Sequence, residues 1–306
     1  MKKISICIPV LNEEENILNT YEKIKNIFKE KIENYDYELI FTDNHSSDKT
    51  EKILYDLCNK DKKVKYIRFK NNLDYDKSVL EAYRHSSGDI AIVIDCDLQD
   101  PPELFLNFIK KWEEGHDLVY GVVKSRKENI FINTLRKIFY LIMNANTDIS
   151  FPLNAHDFRL VDRKIINGFK DNNNLFPYIR GITFALSKNP AGVEYDREKR
   201  KRGKSKLGLW PTFTYAINAL LEETFLFSKI FRRMSMLLVF FGFLFSAVNL
   251  FGGFQMLGIY ENIIIILTIT IFLVLAFIFE YVTRIYFQLK KTERVIYEKK
   301  INLDNE

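Results

Sequence analysis

Cysteine, histidine and glycine are all scarce in this chain of 306 residues, which contains 3 cysteines, 4 histidines and 12 glycines. The cysteines show no metal-ligand spacing, fit a reducing compartment and receive no functional role. The histidines are scattered, and none has a ligand-like partner close by in the sequence. A glycine-rich loop of the form G-x-x-x-x-G-K is absent, which argues against a P-loop nucleotidase. The acidic and basic side chains are then the first candidates for chemistry.

Charged residues are absent from two long stretches near the C-terminal end, residues 234–260 and 262–279. A helix needs about 20 apolar residues to cross a bilayer, so these stretches predict a pair of transmembrane helices within residues 231–288. Two buried core helices are the alternative. Basic residues lie before the first stretch and after the second, while the connection carries one acid and no base. The positive-inside rule then predicts a multi-pass protein of the cell membrane with both termini in the cytoplasm.

The segment before the first apolar stretch is basic and then amphipathic. Residues 197–206 read REKRKRGKSK. Attraction to anionic lipid headgroups is one interpretation of this run, at roughly 1 kcal/mol per base near a membrane surface. Residues 207–230 predict a juxtamembrane helix that lies in the membrane interface, with an ordinary core helix as the alternative. Residues 289–306 are expected to form a cytoplasmic tail. The net charge of +5 comes partly from these flanks, so it does not indicate nucleic-acid binding.

Strand-like and helical patterns alternate through the polar part of the chain. Apolar runs predict strands at residues 4–9, 38–42, 64–69, 90–94 and 118–123. Helical spacing predicts helices at residues 14–31, 50–58, 78–86 and 101–114. Repeated β-α units imply an α/β fold with a parallel sheet covered by helices. Because such sheets bind ligands beyond the carboxyl ends of their strands, a site is expected at that edge.

Polar and acidic side chains gather at three of these strand ends. Asn12 and Glu13 follow the first predicted strand, and Asp43 follows the second. Asp95 and Asp97 follow the fourth, in the run IDCDLQDPPE. Alternate residues of an extended segment share one face, so these two aspartates can meet one hard cation such as Mg²⁺ or Mn²⁺. A solvated turn is the alternative for the pair.

Two further polar residues follow in the same run. Gln99 lies one alternation beyond Asp97 and offers a neutral oxygen. Asp100 precedes two prolines and Glu103, a pattern that predicts the start of a helix with Asp100 as its N-cap. A cation at such a strand end suits a diphosphate, because it neutralises charge on a departing phosphate oxygen.

Five motifs occur in order along the chain: IPVLNEEEN, TDNHSSDKT, IDCDLQDPPE, AHDFRLVDR and REKRKRGKSK. Followed by two apolar stretches, they resemble family 2 glycosyltransferases. Within that family they resemble the polyprenyl-phosphate glycosyltransferases, a group similar to dolichol-phosphate mannose synthase and bactoprenol glucosyltransferase. The resemblance covers nearly the whole chain. It implies that residues 1–206 form a cytoplasmic, Rossmann-like GT-A catalytic domain that uses a sugar nucleotide and Mg²⁺ or Mn²⁺.

The motif match also implies roles for individual residues. Those implied for nucleotide binding are Pro9, Asn12, Glu13, Asp43 and Asp95. Those implied for binding metal and diphosphate are Asp95, Asp97 and Gln99. Those implied for binding phosphate or the acceptor are Arg126, Arg136, Arg197, Arg200, Ser205 and Lys206. Asp157 falls in the active-site DFRL segment and is assigned to catalysis together with Asp97.

The chain departs from the family pattern at several positions. Asn44 and His45 stand where many members have an acid and a glycine, and Leu11 stands where many have a tyrosine. These three departures bear on how the base and the ribose are recognised. Val123 occupies a position that is often basic, with Lys124 beside it.

The implied activity is the transfer of a hexose from a nucleotide sugar, with UDP-glucose favoured, to polyprenyl (undecaprenyl) phosphate with inversion, at the cytoplasmic leaflet. The product would supply a lipid-linked sugar for cell-surface glycan modification. That phosphate is already an anion near neutral pH and needs no strong base, so Asp157 is expected to position other groups. A structural pair with Arg159 or Arg163 is the alternative for Asp157.

Other functions remain open at this level. One is a GDP-mannose-dependent polyprenyl-phosphate mannose synthase, and another is a catalytically silent membrane protein that binds sugar nucleotides. A processive polysaccharide synthase is a third, although the Q-x-x-R-W motif of such enzymes is absent. The resemblance also implies a homo-oligomer, with a tetramer favoured.

Overall fold

A computed structural model of the chain describes residues 1–124, 130–146, 152, 155–168, 178–198, 217, 220, 226–251, 258–289 and 295–303. The chain divides into two compact units. The first comprises Met1–Ala216 together with Thr292–Glu306, and the second comprises Ile217–Lys291.

The first unit is an α/β domain. Its strands are β1 Lys3–Val10, β2 Asp36–Asp43, β3 Val64–Phe69, β4 Ile90–Val93, β5 Leu118–Val123, β6 Ala155–Asp162, β7 Pro190–Tyr195 and β8 Tyr297–Ile301. Its α-helices are α1 Ile17–Lys31, α2 Thr50–Lys60, α3 Tyr75–Arg84, α4 Phe105–Glu113, α5 Ile130–Asn146, α6 Arg163–Asn167 and α7 Ile179–Leu186. The strands and helices predicted in the polar part are all present, with shifted ends.

The strands form one sheet in the order β7-β5-β6-β4-β1-β2-β3-β8. The pairs β1–β2, β1–β4, β2–β3 and β5–β7 are parallel. β6 runs antiparallel to both β4 and β5, and β8 runs antiparallel to β3. The expected parallel pairing is present among β1 to β4, and the antiparallel strands β6 and β8 make the whole a mixed α/β sheet.

Sheet order explains why the predicted polar residues meet. β1 lies between β4 and β2, and Pro9 of β1 pairs in register with Thr42 of β2. The three strands run in the same direction, so the loops after them share one edge. This confirms that the segments beginning at Asn12, Asp43 and Asp95 lie next to one another.

The middle of the sheet is built from β-branched residues. Ile4, Ile6 and Ile8 of β1 and Ile90 and Ile92 of β4 are all 0% exposed. Helices cover both strands, so their sequences read as apolar runs rather than as alternations. Burying each such side chain contributes roughly 1.5–3 kcal/mol, which fixes the strands and with them the loops at their ends.

Near the amino ends of the same strands, Glu38 lies in a fully bonded polar network. Its Oε1 accepts from Ser5 Oγ at 2.5 Å and from the backbone nitrogen of Ser87 at 2.7 Å. Its Oε2 lies 2.8 Å from Lys65 Nζ and 2.9 Å from Lys3 Nζ. Burial alone would raise the pKa of Glu38, but these donors outweigh it and lower the pKa to about 2. The network joins β1, β2, β3 and the segment before β4.

The second unit contains two long helices, α8 Leu226–Phe251 and α9 Ile259–Leu289. Many of their large apolar side chains are exposed, for example Phe240 at 61% and Phe279 at 74%. Within the described ranges, however, no helix combines the length and apolar character that crossing a membrane requires. The transmembrane hairpin predicted for residues 231–288 is therefore not confirmed.

Candidate active site

The segment after β4 carries three aspartates at the carboxyl edge of the sheet. Asp95 and Asp97 are partly exposed, whereas Asp100 is fully buried. Burial and the nearby carboxylates of Asp100 and Asp97 raise the pKa of Asp95 above its ordinary value. The hydroxyl of Tyr75, at the start of α3, donates to Asp95 Oδ1 at 2.9 Å. This segment therefore concentrates negative charge.

Arg197, one of the predicted phosphate-binding residues, lies against these aspartates. Its Nη2 lies 3.6 Å from Asp95 Oδ2, and its Nε lies 3.2 Å from Asp100 Oδ1. Burial alone would lower the pKa of Arg197, but the carboxylates of Asp100 and Asp95 raise it. A charged guanidinium is thus held at the rim of the acidic segment.

The prediction that Asp100 caps a helix is wrong. The helical turn Pro102–Leu104 receives no side-chain cap hydrogen bond. The Asp100 carboxylate instead accepts a hydrogen bond from the Tyr195 hydroxyl and pairs with Arg197, and His156 Nδ1 lies 3.6 Å from its Oδ2. These partners come from β6, from β7 and from the segment that follows β7. Asp100 therefore anchors Arg197 beside the site.

Gln99 ties the acidic segment to the residue after Arg197. Its Nε2 donates to the backbone oxygen of Glu198 at 3.1 Å, and its own backbone oxygen accepts from the Glu198 nitrogen at 2.9 Å. The Gln99 nitrogen donates to Asp97 Oδ1 at 3.1 Å. The predicted metal ligand is thus placed at the site, with its amide nitrogen bonded to the chain that carries Arg197.

Asp157, on β6, is held by two arginines. Arg159 Nη2 lies 3.0 Å from its Oδ1, and Arg180 Nη2 lies 2.8 Å from its Oδ2. Burial alone would raise the pKa of Asp157, but the guanidinium groups of Arg180 and Arg159 hold that pKa well below its usual range. So weak a base is a poor proton acceptor near neutral pH. Of the two expected structural partners Arg159 is present, while Arg163 donates to the Gly88 carbonyl.

Sequence reasoning missed Arg180 and Tyr75. Arg180 lies on α7 and also donates through Nη1 to the hydroxyl of Tyr140 on α5. Neither residue falls in a recognised motif, so the sequence carried no local signal for them. Their partners, Asp157 and Asp95, lie in sequence motifs and could therefore be predicted.

Asp43 is completely buried at the end of β2. Its Oδ1 accepts from the backbone nitrogen of Ser46 at 2.8 Å. Its Oδ2 accepts from the Tyr66 hydroxyl at 2.8 Å and from Arg68 Nη1 at 2.7 Å. The side chain predicted to bind the nucleotide therefore fixes the conformation of the loop after β2.

The loop after β1 is tied to the loop after β2. The backbone nitrogen of Asn12 donates to Ser46 Oγ at 2.8 Å, and Asn12 Oδ1 accepts from the Ser47 nitrogen at 2.7 Å. The backbone nitrogen of Glu13 donates to Thr50 Oγ1 at 2.9 Å. Asn12 has φ 51°, a left-handed conformation in which asparagine is enriched. The two predicted nucleotide-binding loops therefore form one hydrogen-bonded unit.

The structure gives a physical account of two departures from the family pattern. His45, where many members have glycine, has φ 64°, the backbone region that glycine adopts most easily and that histidine tolerates better than most residues. Asn44 is buried, and its Oδ1 accepts from the backbone nitrogen of Leu73 at 3.2 Å. Both residues thus keep the loop in a defined shape.

Several predicted phosphate or acceptor residues lie outside the part of the chain that the structure describes: Arg126, Arg200, Ser205 and Lys206. Arg136 lies on α5, where its side chain is not described.

The residues at this edge suit a divalent cation that is bound partly by protein carboxylates and partly by a substrate. Among the described residues, no three His, Cys, Asp or Glu side chains form a group that could hold a metal ion. Mg²⁺ is commonly held by one or two carboxylates together with substrate phosphates, and Asp95 and Asp97 supply oxygen donors of that kind. The pKa of Asp95 is raised by burial and by the carboxylates of Asp100 and Asp97, and a cation would offset this negative charge.

Comparison with known proteins shows the family to which the chain belongs. Residues 5–169 match the family model of glycosyl transferase family 2. The glycosyltransferase YkcC of Bacillus subtilis, described as uncharacterized, is 32% identical over 98% of this chain and 95% of its own length. The chain therefore belongs to glycosyl transferase family 2.

More specific names occur among other relatives. The SfII prophage-derived bactoprenol glucosyl transferase of Shigella flexneri is 28% identical over 97% of this chain and 98% of its own length. A prophage bactoprenol glucosyl transferase homolog of Escherichia coli is 31% identical over 71% of each chain.

The solved structures add evidence on the fold. Glucosyl-3-phosphoglycerate synthase from Mycobacterium tuberculosis, in complex with Mn²⁺, UDP and phosphoglyceric acid, is similar with a TM-score of 0.51 and 18% identity. The match covers 72% of this chain and 76% of that chain. Likeness at this identity bears on the fold alone, and it supports a GT-A-like α/β domain.

Proposed function

We propose that this chain transfers a hexose from a nucleotide sugar, with UDP-glucose as the favoured donor, to a polyprenyl phosphate, with inversion at the anomeric carbon. The bactoprenol glucosyl transferases of Shigella flexneri and its phages, which align over most of the chain, support the glucosyl donor and the polyprenyl acceptor. The product would be a lipid-linked sugar for modification of a cell-surface glycan.

The observation that carries this proposal is the lowered pKa of Asp157, which is paired with two arginines. Two guanidinium groups hold the carboxylate, and its pKa is well below the ordinary value. A sugar or protein hydroxyl needs a base to remove its proton as it attacks, whereas a lipid phosphate is already ionised near neutral pH. Because Asp157, the candidate catalytic carboxylate, is so weak a base, the site suits the phosphate nucleophile.

Asp95 and Asp97 are proposed to hold Mg²⁺ or Mn²⁺ together with the donor diphosphate. A cation bound there would neutralise the charge that develops on the departing nucleoside diphosphate. The mycobacterial synthase, which has a similar fold, binds Mn²⁺ and UDP. Tyr75 donates to Asp95 and so orients one of the two carboxylates.

Arg197 is proposed to bind the donor diphosphate directly, in addition to the cation held by Asp95 and Asp97. Its guanidinium is anchored by Asp100, so it is held in place before any ligand arrives. A guanidinium binds phosphate oxygens in pairs, which suits alignment of the leaving group. The reaction brings two anionic groups together, so catalysis rests on charge neutralisation and alignment.

The cytoplasmic leaflet of the cell membrane is the proposed location. The exposed apolar side chains of α8 and α9 and the basic residues on their flanks support contact with lipid. A homo-oligomer stays a prediction from the resemblance.

One assay tests the proposal against its alternatives. The purified protein would be incubated with Mg²⁺ or Mn²⁺, a short polyprenyl phosphate and either radiolabelled UDP-glucose or radiolabelled GDP-mannose. We expect label from UDP-glucose in a lipid that mild acid releases. Label only from GDP-mannose would identify a mannose synthase, and a labelled polymer would indicate a polysaccharide synthase. Absence of any product in all arms, with the donors still bound, would favour a catalytically silent protein.

A further inference from the structure

The C-terminal strand β8 contains a bulge at Glu298. In its antiparallel pairing with β3, Arg68 lies opposite Lys299, and the next residue of β3, Phe69, lies opposite Tyr297. Glu298 is the extra residue between the two pairs. A β-bulge redirects a side chain that regular alternation would send to the other face of the sheet. The position of Glu298 is therefore a specific feature of this edge strand.

The bulge directs two consecutive side chains towards β3 and α2. Lys299 Nζ pairs with Glu51 in the first turn of α2. Glu298 Oε2 accepts from Arg68 Nε at 2.8 Å. Tyr297, one residue earlier, instead donates through its hydroxyl to a carboxylate of α3. Without the bulge, Glu298 and Lys299 would point to opposite faces of the sheet.

Arg68 connects Glu298 to both ends of the loop after β2. Its side chain is 8% exposed, its Nη1 donates to Asp43 Oδ2 at 2.7 Å, and its Nη2 donates to the backbone oxygen of Ser46 at 3.1 Å. The guanidinium is a rigid fork, so fixing Nε also fixes the direction of both terminal nitrogens. Glu298 at Nε, together with Glu51 at 3.6 Å from Nη1, thus orients the donors that Arg68 presents to the loop.

The effect extends from this loop to the loop after β1. Ser46 Oγ accepts from the backbone nitrogen of Asn12 at 2.8 Å, so a shift of Ser46 reaches the first predicted nucleotide-binding loop. The same Glu298 oxygen lies 3.7 Å from Nδ1 of His45, the residue in the left-handed conformation. Glu298 therefore contacts His45 directly and, through Arg68, Asp43 and Ser46.

We propose that Glu298 is a positioning residue for donor binding. Through Arg68 it fixes the loop at residues 43–46 and, through Ser46, the loop at Asn12, so that both are formed before the nucleotide binds. The inference rests on the proposed function, because the ligand concerned is the nucleoside diphosphate part of the donor. It assigns a role in the donor site to a residue 230 positions away from Arg68 in sequence.

The test compares Glu298→Gln with Lys300→Ala in the full chain. Glutamine keeps the shape of the side chain and removes its charge. Lys300 lies on the same strand, and its Nζ lies 3.9 Å from the centre of the Tyr297 ring. Titration with UDP in the presence of Mn²⁺ is expected to show a Kd at least about threefold higher for Glu298→Gln, and no change for Lys300→Ala.

A kinetic measurement separates positioning from a merely structural role. In Glu298→Gln, the KM for the donor should rise by a larger factor than kcat falls, while the thermal midpoint stays close to that of Lys300→Ala. An equal UDP Kd in Glu298→Gln and the wild type would overturn the inference. A fall in kcat and in thermal midpoint with the donor KM unchanged would overturn it as well.

Hydrogen exchange tests the positioning role of Glu298 without a bound donor. In the ligand-free protein, amides of residues 12 and 44–47 are expected to exchange faster in Glu298→Gln than in the wild type, and at the wild-type rate in Lys300→Ala. Unchanged exchange in Glu298→Gln would overturn the positioning role. If the wild type binds no nucleoside diphosphate, the proposed function fails, and the exchange rates still decide whether Glu298 fixes the loops.

Discussion

Carboxylates near the two ends of the central strands have pKa values that are shifted in opposite directions. Near the amino ends, lysine and serine donors surround Glu38, and its pKa falls to about 2. At the carboxyl ends, Asp95 lies beside Asp97 and Asp100, and its pKa is raised. Glu38 lies on β2 and Asp95 lies in the segment after β4, and both strands are apolar. The difference lies in the partners that the fold supplies rather than in burial as such.

This contrast separates a carboxylate that stabilises the fold from one that serves the site. A buried charge stabilises only when nearby donors replace the water it has lost. A cluster of like charges costs stability in the free protein, and real proteins tolerate such violations mainly at functional sites. The donor diphosphate and its cation would supply the missing positive charge. Substitutions at the carboxyl ends should therefore affect mainly catalysis, and those at the amino ends should affect mainly stability.

The largest effect is expected on catalysis at the carboxyl ends. Asp97→Ala is expected to lower the rate of hexosyl transfer by about a hundredfold or more, since it removes one of two carboxylates proposed to hold the cation. The matched control is Glu114→Gln, which removes an exposed carboxylate just after α4 that pairs with Lys111 at the surface. The lipid-labelling assay measures both variants. A near-normal rate for Asp97→Ala would remove the proposed metal role.

At the amino ends the expected effect is on stability. Glu38→Gln removes the carboxylate that pairs with Lys65, whose side chain is 6% exposed. Breaking a buried pair in this way should lower the free energy of unfolding by about 3 kcal/mol. Urea denaturation followed by tryptophan fluorescence measures the loss. Glu114→Gln should change it by less than about 0.5 kcal/mol, and an equally small change for Glu38→Gln would contradict the assignment.

The same network makes a prediction about pH. The folded-state pKa of Glu38 is lowered from 4.5 to about 2, so its contribution to stability is fully present above about pH 4.5. As the pH falls from there to about 2, the unfolded chain takes up a proton that the folded carboxylate does not, so about 3 kcal/mol of stability is lost. The difference in stability between wild type and Glu38→Gln should shrink across this range. A difference that is constant from pH 6 to pH 2.5 would show that the charge of Glu38 contributes little.

The central part of the fold could be predicted from sequence because its signal is local. The apolar runs that became β1 to β5 are buried on both faces, and this produces a continuous pattern. β8 has the sequence YEKKI, with only its two end residues half-buried, and no apolar run marks it as a strand. Its antiparallel place beside β3, like that of β6 beside β4, depends on contacts far apart in the chain.

Some residues of the candidate site could likewise be predicted from local sequence, and others could not. Asp95 and Asp97 could be located from the strand that precedes them, because a strand end is a local feature. Arg180 lies 23 residues from Asp157, and Glu298 lies 230 residues from Arg68, so only the folded structure brings each pair together. Asp100 was misread because a proline-rich helix start explained it locally, while its partner Tyr195 lies 95 residues away.

The smallest effect expected is a gain in stability at the carboxyl ends. Asp95→Asn removes one charge from the acidic segment, keeps an oxygen that can accept from Tyr75, and leaves Arg197 paired with Asp100. With divalent cations chelated at pH 8, the variant should unfold with a free energy about 1 kcal/mol higher than the wild type, while hexosyl transfer falls. Because the pKa of Asp95 is raised in the folded state, its charge destabilises only above the ordinary pKa of an aspartate, near 4. The gain should therefore disappear as the pH falls towards that value. A variant less stable than the wild type at pH 8 would mean that Asp95 is neutralised within the protein, as Glu38 is, and the two ends of the sheet would no longer differ in kind.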